Sequence, residues 1–106
     1  MLSGNKESTA ELKAVLREEA EAIYNEDVML CRKIGEAGQE IMKDGMGILT
    51  HCNAGALATS RYGTALSPIY VGCRREGLMY ALFADETRPL LQGSRLTAYE
   101  LTRAGV

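Results

Sequence analysis

Apolar residues recur at helical spacing from Leu12 to Ile41, through Val15, Leu16, Ile23, Val28, Cys31 and Ile34, with Arg17, Glu18, Glu21, Lys33 and Glu36 between them. This pattern predicts an amphipathic helix of about eight turns, with Asn25 as the place for a kink. Ser8-Thr9-Ala10-Glu11 supplies its start, because a hydroxyl at the cap and a carboxylate three residues on form a capping box. Gly35 and Gly38 would let a neighbouring element approach the helix closely. Lys43-Asp44-Gly45-Met46-Gly47 ends it, and the short apolar run Ile48 to Cys52 suits a strand buried on both faces of a parallel sheet. Helix is expected again from Ala56 to Val71, a connection over Gly72 to Gly77, and a second strand over Leu78 to Ala84. Pro89 marks the start of a last helix, which runs to Ala104, with Gly105 as its C-terminal cap and Val106 opening a third strand.

These elements give an α/β fold of Rossmann-like parallel βα units preceded by a long amphipathic helix. Two strands leave the sheet truncated, with edges and a helix stripe unburied. Residues 1–8 read as a flexible terminus and residues 9–106 as a partial Rossmann-like domain. The helix exceeds what one small core can cover, so its apolar stripe calls for another domain or subunit.

Composition narrows the functional classes. Lysines and arginines number 12 against 14 acids, scattered along the chain, and the aromatics are five tyrosines and Phe83. Neither a phosphate-tracking groove nor a base-stacking surface emerges, so nucleic acid is not an expected partner. No apolar run reaches the roughly 20 residues of a membrane span, and the N-terminus lacks a secretory pattern, which makes the cytoplasm the expected compartment. Cys31, Cys52 and Cys73 are an odd number and fit free thiols. His51 and Cys52 are adjacent in a strand and point to opposite faces, a poor start for a metal site, and neither a dinucleotide nor a nucleotide-hydrolysis glycine pattern is present.

The chemistry concentrates at two strand ends. Ligands of open α/β sheets bind outside the carboxyl ends of the strands, and Cys52 lies at such an end, with a helix expected directly after it. A thiol at the positive end of a helix favours the thiolate, the form that attacks or transfers protons. Asn53, Ala54 and Gly55 are small enough for a phosphate or sugar hydroxyl to reach backbone N–H groups, and equally suit an ordinary tight turn. Past the second strand lie Asp85, Glu86, Arg88 and Gln92, where Arg88 can pair a carboxylate and brace the loop. Cys31, on the long helix, and Cys73, in the expected connection, read as packing residues, and His51 as a packed or hydrogen-bonded strand residue.

Three motifs, Thr-His-Cys-Asn-Ala-Gly-Ala-Leu-Ala-Thr over residues 50–59, Tyr-Gly-Thr-Ala-Leu over 62–66 and Asp-Glu-Thr-Arg-Pro-Leu-Leu-Gln-Gly over 85–93, resemble the signatures of the methylthioribose-1-phosphate isomerases. That family is similar to the regulatory alpha, beta and delta subunits of the exchange factor for eukaryotic initiation factor two. The resemblance runs from Leu12 to Val106, and it implies a middle fragment of a longer protein. It implies an aldose–ketose isomerase of methionine salvage, converting 5-methylthioribose 1-phosphate to 5-methylthioribulose 1-phosphate without metal or nucleotide cofactor. It also implies a homodimer of the full-length form. Cys52 would be the catalytic residue, Asn53, Ala54, Gly55 and Gln92 would contact substrate, and Glu86 and Arg88 would support the site. The family pairs its cysteine with an aspartate from a later Gly-Ala-Asp-Arg segment, which does not occur in this sequence, and Asp85 matches a different position. The alternatives are a regulatory binding subunit and an isomerase of ribose 1,5-bisphosphate or 5-deoxyribose 1-phosphate.

Overall fold

The computed structural model describes residues 8–106. The terminus expected to be flexible therefore lies outside the described residues except for Ser8, which is a helix cap. Helix α1 (Thr9–Gly38) starts with the capping box: the Glu11 N–H donates to Ser8 Oγ at 3.2 Å and the Ser8 N–H donates to the Glu11 carboxylate at 2.7 Å. The helix runs unbroken through Asn25. Strand β1 (Gly47–Thr50), helix α2 (Ser67–Glu76), strand β2 (Ala81–Ala84) and helix α3 (Ala98–Ala104) follow. The two strands pair in parallel, Gly47 with Ala81 through Thr50 with Ala84.

One small core forms between the sheet and the helices. Leu66, Ile69, Tyr70 and Leu101 are buried at its centre, with Ile48, Leu82, Cys73 and Val106 packed around them. The sheet is covered on one face only: Leu49 is 73% and Phe83 60% exposed, in contrast to a strand buried on both sides.

The long helix docks through its small residues rather than through the large apolar side chains of its stripe. Cys31 and Gly35 are its buried residues, and Ser67 Oγ donates to the Cys31 carbonyl at 2.6 Å. Gly38 lies against the Pro68 ring, and Gln39 Nε2 donates to the carbonyls of Gly35 and Pro68, each at 2.8 Å. Leu16, Ile23 and Ile34 are exposed on the helix, and so is Ile41, which lies past its end at Gly38 rather than in its last turn as the periodicity predicts.

Local structure departs from the sequence pattern at four places. After the first strand, Ala56–Ala58 makes one 3-10 turn, and α2 begins at Ser67, eleven residues later than expected for a helix starting at Ala56. The intervening loop holds Tyr62 and Gly63 at φ 67° and 79°, left-handed values that interrupt a helix. Residues expected to form a connection, Gly72 to Glu76, are the second half of α2, so Cys73 is helical; Gly72 is small to admit the Tyr80 ring, and Gly77 at φ 64° makes the stop. The last helical segment starts after Gln92 rather than at Pro89, since Leu91 at φ 57° is left-handed, and it opens as a π-helical turn (Gly93–Thr97) running into α3. Gly105 caps α3 at φ 75°, and Val106 folds back on the core, its N–H donating to the Leu101 carbonyl at 3.1 Å.

Candidate functional site

The carboxyl ends of β1 and β2 lie side by side, and the ladder continues past them, with the Asp85 N–H donating to the Thr50 carbonyl at 3.2 Å. Thr50 turns into the core, and His51 turns out: its Nδ1 lies 2.8 Å from Asp85 Oδ2, with side chains 74% and 44% exposed. One imidazole nitrogen is thus occupied by the carboxylate, which orients the ring and leaves Nε2 to face solvent.

Cys52 follows with φ 58°, a left-handed conformation that non-glycine residues adopt at a cost of about 1 kcal/mol. Its thiol is free and half-buried. No helix N-terminus stands behind it, because Asn53 to Gly55 continue as irregular backbone; the expected helix-dipole contribution to the thiol is therefore absent from this arrangement.

The loop is held by α3 and the turn before it. Thr97 Oγ1 donates to the Cys52 carbonyl at 2.5 Å and accepts from Asn53 Nδ2 at 3.1 Å. The Glu100 carboxylate accepts from Asn53 Nδ2 at 2.5 Å, the Ala56 N–H at 2.7 Å and the Tyr70 hydroxyl at 2.7 Å. Glu100 is only 7% exposed, and three donors satisfy the carboxyl oxygens that burial takes out of water. Burial first, and the Glu100 carboxylate second, push the Tyr70 phenol well above its ordinary range.

Asn53, Ala54 and Gly55 are thereby committed to neighbours. The Asn53 amide nitrogen serves Thr97 and Glu100, while its Oδ1 is buried without a partner. The Ala54 carbonyl accepts from the Thr64 N–H at 2.9 Å. Gly55 admits the Glu100 carboxylate, which a β-carbon would strike. On the β2 side, Thr87 Oγ1 donates to Gln92 Oε1 at 2.7 Å and accepts from the Gln92 N–H at 3.1 Å. The Ser94 hydroxyl and then the Thr87 N–H hold the Glu86 carboxyl below its usual range. Arg88 is exposed and makes none of the ion pairs among the described residues.

Thr97, Glu100 and Tyr70 carry the loop, yet sequence reasoning passed over them. The available signal was a carboxylate at Glu100 between Leu96, Tyr99 and Leu101, on the helical face shared with Thr97 three residues earlier. A cavity of about 350 Å³ opens beside this network, lined by Glu100 and Tyr70 together with Arg61, Arg74, Arg103 and Tyr62. Cys52 and Gln92 do not line it. Among the described residues no group of three His, Cys, Asp or Glu side chains could hold a metal ion, and no helix is long and apolar enough to cross a membrane.

Known proteins give this geometry a context. Methylthioribose-1-phosphate isomerase of Symbiobacterium thermophilum is 66% identical over 96 residues, covering 91% of this chain and 26% of that protein. A 5-deoxyribose 1-phosphate isomerase of Clostridium botulinum is 53% identical over 105 residues, 99% of this chain and 30% of the relative. The crystal structure of the translation initiation factor eIF-2B delta subunit from A. fulgidus superposes with a TM-score of 0.86 at 46% identity, covering 99% of this chain and 30% of that one. The chain thus spans 26–30% of the length of these relatives. The model of the initiation factor 2 subunit family matches residues 2–106, and the chain belongs to that family.

Proposed function

We propose that this chain is the cysteine-bearing part of an aldose–ketose isomerase acting on a pentose 1-phosphate. The observation that carries the reading is the free Cys52 thiol, held in a left-handed conformation at a strand end beside the His51–Asp85 pair. Isomerisation opens the sugar ring and moves hydrogen from C2 to C1, so that C2 is oxidised as C1 is reduced within one molecule. The reaction needs proton donors and acceptors placed on the sugar rather than an external oxidant. Cys52 is proposed as one of them, with Asn53, Ala54, Gly55 and Gln92 toward the substrate and Glu86 supporting the loop.

The similar isomerases act, by their names, on methylthioribose 1-phosphate and 5-deoxyribose 1-phosphate. The proposed substrate class is therefore a ribose 1-phosphate whose C5 carries no phosphate. With the methylthio sugar as substrate, the enzyme belongs to methionine salvage in the cytoplasm. A homodimer is part of the same reading, supported by the exposed α1 stripe; light scattering that finds only monomer would remove it.

The test replaces the corresponding segment of the Symbiobacterium thermophilum isomerase with residues 8–106 and measures ketose formation from both sugars. Turnover that disappears with Cys52→Ser supports the reading, and turnover unaffected by that change overturns it. The similarity to the A. fulgidus delta subunit favours a second reading, a regulatory subunit that binds without turnover, under which Cys52→Ser is silent.

A further inference from the structure

We propose that Thr97 and Glu100 are positioning residues that fix the Cys52 thiol. What the thiol is for rests on the isomerase reading, whereas how it is held does not. A non-glycine residue at φ 58° reverts to an ordinary conformation unless its neighbours over-determine it. Here the constraint comes from one helical face. Thr97 Oγ1 holds the Cys52 carbonyl, and the same oxygen receives the side chain of the next residue, Asn53. Glu100, one turn on, takes the other hydrogen of Asn53 and the Ala56 N–H, so both ends of the Asn53–Ala56 segment are tied to a single carboxylate.

That carboxylate is itself fixed from a third element, by the Tyr70 hydroxyl of α2. Thr97 has no measurable exposure, so its short bond to the Cys52 carbonyl does not compete with water. The arrangement links the thiol to two helices without touching its sulfur. A residue that acts in this way sets the direction and exposure of a reactive group.

The chain carries its own controls, since Cys31 is buried in α1 and Cys73 half-buried in α2, both away from the loop. The experiment is alkylation of the 106-residue chain with iodoacetamide across a range of pH, with the rate at each cysteine read by peptide mass mapping. Thr97→Val keeps the shape of the side chain and removes the hydroxyl. The expected result is an increase of about five-fold in the Cys52 rate, as the released left-handed residue relaxes and exposes its thiol, with Cys31 and Cys73 unchanged. Thr97→Ser, which restores the hydroxyl, is expected to return the rate to that of the parent. Glu100→Gln provides a second variant should Thr97→Val fail to fold, and the same selective rise at Cys52 is expected.

Equal Cys52 rates in parent and variants overturn the proposal. So does a parallel rise at all three cysteines, which would mark general loosening rather than positioning. Labelling requires no turnover, so a chain that passes this test while the chimera isomerises no sugar would lose the isomerase reading and keep the positioning one.

Discussion

Replacing Gly55 with alanine separates two reasons for a small residue in the cysteine loop. The backbone there has φ −100° and ψ −163°, which alanine adopts without strain. On the unfolded-state argument alone, Gly55→Ala would therefore stabilise the chain by about 0.4–1 kcal/mol. The folded structure opposes this, because the new β-carbon would strike both oxygens of the Glu100 carboxylate. That carboxylate is not the free end of a mobile side chain, since Asn53, Ala56 and Tyr70 all donate to it in a buried setting. Displacing it weakens hydrogen bonds worth about 1.5–3 kcal/mol each, and overpacking adds about 1–3 kcal/mol. Loss of even one bond exceeds the entropic gain, and the expected net change is a destabilisation of about 2 kcal/mol. For a domain near this size, that lowers the midpoint of thermal unfolding by about 10 °C, measured by circular dichroism. Glu100→Asp withdraws the carboxylate by one methylene, so Gly55→Ala should be about 1 kcal/mol less damaging in that background. A neutral or stabilising Gly55→Ala would refute the reasoning, because it would show that the Glu100 carboxylate does not require a glycine there.

Gly35→Ala tests the docking of α1. Within a helix the change ordinarily gains about 1 kcal/mol, but here the β-carbon would lie 2.5 Å from Ser67 Oγ and 2.6 Å from Val71 Cγ2, so a net loss of about 1 kcal/mol in urea unfolding is expected. At alkaline pH, Tyr70 supplies a second test. Its folded-state phenol titrates above the ordinary value of 10.0, so the fold favours the protonated form; this stability is fully present below pH 10 and is lost as pH rises toward the folded value. Tyr70→Phe should make the decline in unfolding free energy above pH 10 shallower, by up to about 1.4 kcal/mol per pH unit, while Cys73 and Tyr80, whose values burial also raises, keep their share of it.

Much of the fold was legible along the chain, for local reasons. The capping box at Ser8 and Glu11 and the α1 periodicity act over three or four residues, and both strands were found, each longer than the hydrogen-bonded ladder it forms. The left-handed cap at Gly105 was equally local. Where the pattern misled, a positive φ or a close approach had overridden it. Tyr62, Gly63 and Leu91 break segments that composition would continue as helix, whereas Gly72, which looked like a break, is a contact surface for Tyr80.

For the site, the sequence alone determined which residues gather at the two strand ends, because βα connectivity delivers Cys52 and Asp85 there whatever the side chains do. The three motifs also pointed to a family, and the matching family model agrees with that direction. Only the tertiary structure decided what these residues touch. Thr97 and Glu100 lie 45 and 48 positions beyond Cys52 in the chain, and Tyr70 reaches Glu100 from a different helix. Periodicity reports which residues share a face of one element. It cannot report that a buried carboxylate from α3 will meet an amide, a backbone N–H and a phenol, because that meeting follows from how the elements pack.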